Sequence, residues 1–197
     1  MGAVALEAAE GLLSEQSETI RAFVAVGVPE RQRESLAAYL DSCRIAAPAF
    51  RWVAPGNLHL TLRFLGNVAG SALDTLAVAL REIAVEPFEL QIGELGTFGR
   101  ASSVRVIWLG AELGAESLVQ LAREVEARCT RTGLAPEDRP YHPHLTLARS
   151  DDRRGERAPS IPPPPDLGTW TVTGFQLFRS RLGKGGAAYS VIADFGS

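Results

Sequence analysis

The chain has 197 residues, enough to bury a substantial core as one domain or two small lobes, and 46% hydrophobic with 22% charged residues is the balance of a water-soluble globular protein. Twenty Lys and Arg against 23 Asp and Glu give a formal net charge of −3, which excludes the overall basic surface of a protein that tracks long nucleic acid. All the cations but Lys184 are arginines, so a local basic patch stays open.

Residues 1–18 are rich in alanine and glutamate and are expected to form a loose, flexible extension, with residues 19–197 as a single bilobal domain. They lack the basic start of a signal peptide. Ile20–Val26 alternates as a first strand, and Pro29 opens a helix that carries Leu36, Tyr39 and Leu40 on one stripe to about Cys43. Trp52 and Val53 are extended before a Pro55-Gly56-Asn57 turn, and a strand Leu58–Leu65 ends at Gly66-Asn67. Ser71 is placed to cap a helix to about Ala84 with Leu73, Leu76, Leu80 and Ile83 on its apolar stripe.

Phe88–Leu95 and Val104–Leu109 read as strands separated by a turn-rich loop, Gly96–Arg100. A helix over about Ala115–Thr130 presents Leu118, Leu121, Val125 and Cys129, and Gly133 fits its stop. Tyr141-His142-Pro143 leads into another strand. Residues 150–165 end in four prolines and read as an exposed loop. Two strands follow, about Thr169–Phe178 and Ala187–Phe195, joined by a glycine-rich hairpin that does not match a phosphate-binding loop. No apolar run reaches the ~20 residues needed to cross a bilayer. Cys43 and Cys129 form no disulfide framework. A cytoplasmic monomer with reduced thiols is the expectation.

Two of these strands share a tetrapeptide. His59-Leu60-Thr61-Leu62 and His144-Leu145-Thr146-Leu147 use two of the three histidines in the chain. Strand alternation puts each His and Thr on one face and the leucines on the other. A helix and a turn precede each copy. One duplication about a pseudo-two-fold axis accounts for the pattern, and the fold class is α+β: two pseudo-symmetric lobes of antiparallel β-sheet with outer helices around a central cleft.

Imidazoles titrate near neutral pH, so one of a pair can be charged while the other is neutral. In displacement at phosphorus the entering and leaving groups lie on opposite sides. A base on one wall of a cleft and an acid on the other meet that requirement. A threonine hydroxyl two positions along lies on the histidine's face and can donate to a non-bridging phosphate oxygen. This chemistry calls for no metal and no cofactor. Two alternatives compete with it. His142 and His144, with His59, could form a three-histidine zinc site, although Pro143 interrupts the strand and threonine is a poor ligand. The chain could also be a non-catalytic module that binds RNA ends or cyclic phosphates.

The repeats and their surroundings resemble the two-histidine (2H) phosphoesterase superfamily, and within it the bacterial RNA 2′,3′-cyclic phosphodiesterases, formerly called 2′-5′ RNA ligases. The resemblance spans about residues 19–195. It is carried by Arg21–Val26, by Arg51-Trp52-Val53 with Asn57–Gly66, by Arg139–Arg149, and by Ser180-Arg181-Leu182 with Gly186–Tyr189. It implies metal-independent opening of RNA or nucleoside 2′,3′-cyclic phosphates to 2′-phosphates. His59 would be the proton donor and His144 the proton acceptor. Thr61 and Thr146 would hold the phosphate, and Arg149, five residues after His144, would bind it. Ligation of 2′-5′ ends is the reverse of the same chemistry.

Arg149 conflicts with plain alternation, which puts it opposite His144. The expectation is a strand end or bulge after Leu147, since bulges often re-aim side chains beside active sites. The pseudo-symmetric residue in the first repeat is Phe64. It either stacks on a nucleobase or packs into the core beside Leu60 and Leu62.

Overall fold

The computed structural model describes residues 19–183 and 186–196; the expected extension at 1–18 lies outside them. The elements are β1 (Thr19–Gly27), α1 (Glu30–Ala46), β2 (Phe50–Trp52), a 3-10 turn (Pro55–Asn57), β3 (His59–Ala69), α2 (Gly70–Leu80), β4 (Phe88–Arg100), β5 (Ser103–Leu113), α3 (Ala115–Arg131), β6 (His144–Ser150), β7 (Thr169–Val172), β8 (Gly174–Gly183) and β9 (Gly186–Gly196). Every strand pairing is antiparallel, so the expected α+β class holds.

The strand order is β7-β4-β5-β6-β3-β1-β8-β9, with β2 also pairing β6. The two lobes are halves of one continuous sheet. One half is β7-β4-β5-β6 and the other is β3-β1-β8-β9, and each contributes its innermost strand, β6 or β3, to the junction. The unit β1-α1-β3 in one half answers β5-α3-β6 in the other. Helix and sheet share a single core. Leu36, Leu40, Leu76, Leu80, Leu118 and Val125 from the helices meet Leu60, Leu62, Leu145 and Leu147 from the repeats. Each fully buried leucine contributes about 1.5–3 kcal/mol. The leucines of the two motifs thereby fix which face of β3 and β6 is left for histidine and threonine.

Several boundaries differ from the sequence reading. Ser71 is not a cap: α2 starts at Gly70 after Ala69, with no side-chain cap bond, and Ser71 instead uses its carbonyl to accept the Thr75 hydroxyl. The helix stops at Leu80, and Ile83 is buried from the turn beyond it. Gly66-Asn67 does not end β3, because Asn67, Val68 and Ala69 pair with Arg21, Ile20 and Thr19 of β1. Gly96–Arg100 is not a loop but the end of β4, paired with β5 up to Arg100↔Ser103. Thr169–Phe178 is two strands. Val172 pairs with β4 in one half, Gly174 pairs with β9 in the other, and Thr173 carries the chain between them.

Other expectations held. The helix α3 closes in a Schellman arrangement around Gly133 at φ 91°, with the Gly133 N–H on the Thr130 carbonyl and the Leu134 N–H on the Cys129 carbonyl. Cys43 and Cys129 are free and buried. The proline loop is largely exposed and tied to α1 by the Tyr39 hydroxyl, which donates to the Pro162 carbonyl at 3.0 Å, and by the Gln32 amide, which donates to the Leu167 carbonyl at 3.3 Å. Among the described residues no helix is long and apolar enough to cross a membrane.

Candidate active site

The two motifs meet at one rung, Leu60 opposite Leu145. In an antiparallel pair one step forward on a strand is one step back on its partner. His59 is therefore beside Thr146, and Thr61 beside His144, related by the pseudo-dyad through the rung. The four polar side chains are half-buried, while Leu60, Leu62, Leu145 and Leu147 are buried on the opposite face. The sequence reading of a matched pair facing one cleft describes this arrangement.

Both repeats then skip one residue. On β6, Thr146 pairs with Trp108 and Ala148 with Ile107, leaving Leu147 without a partner on β5. On β3, Thr61 pairs with Ala25 and Arg63 with Val24, leaving Leu62 without a partner on β1. The extra residue sits three positions after each histidine. It puts position +5 back on the histidine's face, which resolves the conflict over Arg149. Leu147 and Ala148 are both fully buried and Arg149 emerges on the cleft side, where its charge acts on both His59 and His144. Phe64 is re-aimed in the same way. It is 49% exposed, so it is not a core residue, and its ring lies 6.2 Å from that of Phe23 on the cleft face.

The histidines are held alike. His59 Nδ1 is 2.7 Å from the Asn57 carbonyl and His144 Nδ1 is 2.7 Å from the His142 carbonyl. A carbonyl only accepts, so in each ring Nδ1 carries the proton and Nε2 keeps its lone pair. Burial lowers the His59 pKa to about 4; the bond to Asn57 opposes this, and the Arg149 charge and the His144 imidazole add to it. Burial also lowers the pKa of His144, against its bond to His142, with His142 and Arg149 adding to the depression. Both imidazoles are thus neutral near pH 7, and each would gain a proton most readily when an anion lies between them.

The walls are aromatic, and single-residue reasoning missed them. Beside His59 stand Phe23 at 4.6 Å and Tyr189 at 5.2 Å between ring centres, with Phe178 stacked on Phe23 at 5.0 Å. Beside His144 stands Phe98 at 4.9 Å, with Trp108 at 5.2 Å from Phe98 and His142 at 4.9 Å from Trp108. Trp108 lies across the backbone of its partner Gly96, where a Cβ would collide with the indole. The signal was alternation outside the motif: Phe23 is four residues from Gly27, the pairing partner of His59. Asn57 was also missed. Its carbonyl orients His59, and its amide donates to the Ala187 carbonyl at 2.6 Å, joining the motif to the β8–β9 hairpin. The three histidines do not form the alternative zinc site, for among the described residues no group of three or more His, Cys, Asp or Glu is placed to hold a metal ion.

Comparison with known proteins agrees with this geometry. Residues 32–184 match the family model of the 2′-5′ RNA ligase superfamily. The sequence is 34% identical over 174 residues to the RNA 2′,3′-cyclic phosphodiesterase of Escherichia coli, covering 88% of this chain and 94% of that protein. It is 36% identical over 187 residues to the RNA 2′,3′-cyclic phosphodiesterase of Thermus thermophilus, covering 89% of each. The crystal structure of E. coli LigT complexed with 3′-AMP superposes with a TM-score of 0.78 at 32% identity, covering 91% of this chain and 98% of that one. With its duplicated motif, its folded halves and these relatives in agreement, the chain belongs to the 2′-5′ RNA ligase superfamily.

Proposed function

We propose that the protein hydrolyses RNA or nucleoside 2′,3′-cyclic phosphates to 2′-phosphates by metal-independent acid–base catalysis. The observation that carries this reading is the pair of half-buried imidazoles disposed about the Leu60–Leu145 rung, each with Nδ1 fixed and Nε2 available. The names of the relatives and the 3′-AMP complex of LigT point to the same substrate class.

In this mechanism His144 Nε2 takes a proton from water as the water oxygen bonds to phosphorus. The bond from phosphorus to the 3′ oxygen breaks, and protonated His59 delivers its Nε2 proton to that oxygen. The two rings exchange protonation states, and solvent resets them. Thr61 and Thr146 donate to the non-bridging oxygens as charge builds there. Arg149 neutralises the same charge. Phe64, exposed on the His59 side, offers its ring to the base. Both motifs lie on one chain, so the reaction needs no second subunit and no membrane, in keeping with a cytoplasmic monomer.

The test is incubation with a nucleoside 2′,3′-cyclic phosphate, with and without EDTA, followed by phosphorus NMR. A 2′-phosphate product at equal rates in both samples is expected. His59→Ala and His144→Ala should each lower the rate by about 10²–10⁴. Near-normal turnover in both variants, or activity abolished by chelator, would overturn the reading.

A further inference from the structure

One cation at the cleft has no part in the reaction above. Arg51 on β2 pairs directly with Arg149 on β6. Directly opposed residues of antiparallel strands share a face, so Arg51 stands on the cleft side beside the proposed phosphate ligand. Its backbone is fixed by buried neighbours: Phe50 and Trp52 are 5% and 8% exposed, the Trp52 indole N–H donates to the Ala47 carbonyl at 3.0 Å, and the Val53 N–H donates to the carbonyl of the bulge residue Leu147 at 2.8 Å. The Arg51 side chain itself is 66% exposed.

Like charges directly opposite across a ladder repel and cost stability. An anion held between them relieves that repulsion. Among the described residues the only acid paired with either arginine is Asp151, which meets Arg51 Nη1 at 3.2 Å in an exposed contact. Such pairs are weak and yield readily to a stronger anion. The segment after β6 is balanced, with Arg153, Arg154 and Arg157 against Asp151, Asp152 and Glu156. The excess positive charge at this corner is that of Arg51 and Arg149 themselves, in a protein whose net charge is −3.

We infer that Arg51 binds a second phosphate, the 5′ phosphodiester next to the reacting cyclic phosphate, and so makes the 3′ end of a single-stranded RNA a better substrate than a lone nucleoside cyclic phosphate. The inference rests on the phosphodiesterase reading and extends it. The reacting phosphate occupies Arg149. The next anion along the strand is the 5′ phosphate of the terminal nucleotide, which a nucleoside 2′,3′-cyclic phosphate lacks. A guanidinium beside Arg149 is placed for that anion, with its fork suited to phosphate oxygens. Asp151 occupies Arg51 when no RNA is present and gives way when RNA arrives.

The test compares kcat/KM for a nucleoside 2′,3′-cyclic phosphate and for a trinucleotide ending in the same group, over a series of salt concentrations. The wild type should prefer the trinucleotide. Arg51→Gln should lower the trinucleotide-to-mononucleotide ratio roughly tenfold and reduce the salt slope for the trinucleotide by about 0.7, the value for one phosphate contact on a single strand. Asp151→Asn, which frees Arg51, should raise the ratio. Equal losses on both substrates in Arg51→Gln, or a ratio unchanged in both variants, would overturn the inference. If the wild type opens neither substrate, the phosphodiesterase reading fails. Arg51 is then read by the anisotropy of a 5′-labelled trinucleotide bearing a 3′-terminal phosphate: weaker binding in Arg51→Gln supports the subsite, and unchanged binding overturns it.

Discussion

At the scale of single residues, the two histidines are alike in what holds them and in the direction of their shift. Burial lowers His59 to about 4 and lowers His144 from the same ordinary value. The productive form has one imidazole charged and the other neutral. In the free enzyme that form is most populated on the acid side of the ordinary imidazole value of 6.5. Bound phosphate favours the imidazolium and moves both titrations up. The kcat/KM profile should accordingly be a bell with its maximum below pH 6.5, and the kcat bell should lie at higher pH; initial rates from pH 4 to 9 check this, and coincident bells would contradict it. His59, Thr61, His144 and Thr146 were legible because four residues of alternation suffice to place them. Arg149 was legible only as a conflict and Phe64 only as a choice between base and core, since nothing in the letters after Leu147 or Leu62 announces an extra residue. Asn57 and the His142 carbonyl act through the backbone, and a backbone contact leaves no compositional trace.

At the scale of elements, alternation and helical spacing found every strand and helix that faces the core on one side. They failed where a partner strand overrides a local breaker. Gly96 and Gly66 look like turn residues, yet Trp108 and Ala22 pair with them and carry β4 and β3 onward. Thr169–Phe178 looks like one strand because alternation continues across Thr173 while the pairing partner changes. Gly96 has a further role in the β4–β5 pair. A Cβ there would overlap the Trp108 ring, which supports His142 and, through Phe98, His144. Gly96→Ala should destabilise by about 1–3 kcal/mol, the usual cost of overpacking. It should also lower kcat, because the displaced indole disturbs the wall behind His144. Denaturant unfolding, tryptophan emission and turnover measured on one sample test it, and a variant with native stability and rate would refute the account.

For the whole molecule, the same depressed histidines tie stability to pH. In the unfolded chain His59 titrates near 6.5, and in the folded protein near 4. Above pH 6.5 both states hold it neutral and stability is undiminished. As pH falls from 6.5 through 4 the unfolded state binds the proton first, so stability is lost over that window. The loss from His59 is at most about 3 kcal/mol at 1.36 kcal/mol per pKa unit, and His144 adds in the same direction. Urea midpoints at pH 7.5, 6 and 5 should fall in that order, and His59→Gln should flatten the fall; parallel curves for wild type and variant would show that the histidine is not its source. The Leu60–Leu145 rung has a last consequence. Because the motif strands are neighbours in one sheet, with His59 beside Thr146 and His144 beside Thr61, the imidazoles stand diagonally across the rung and their separation is set when the chain folds. The entropy of bringing acid and base together is lost in folding and not again at each encounter with substrate. Acid and base meet the substrate already placed on one sheet, and no hinge between separate units has to bring them together.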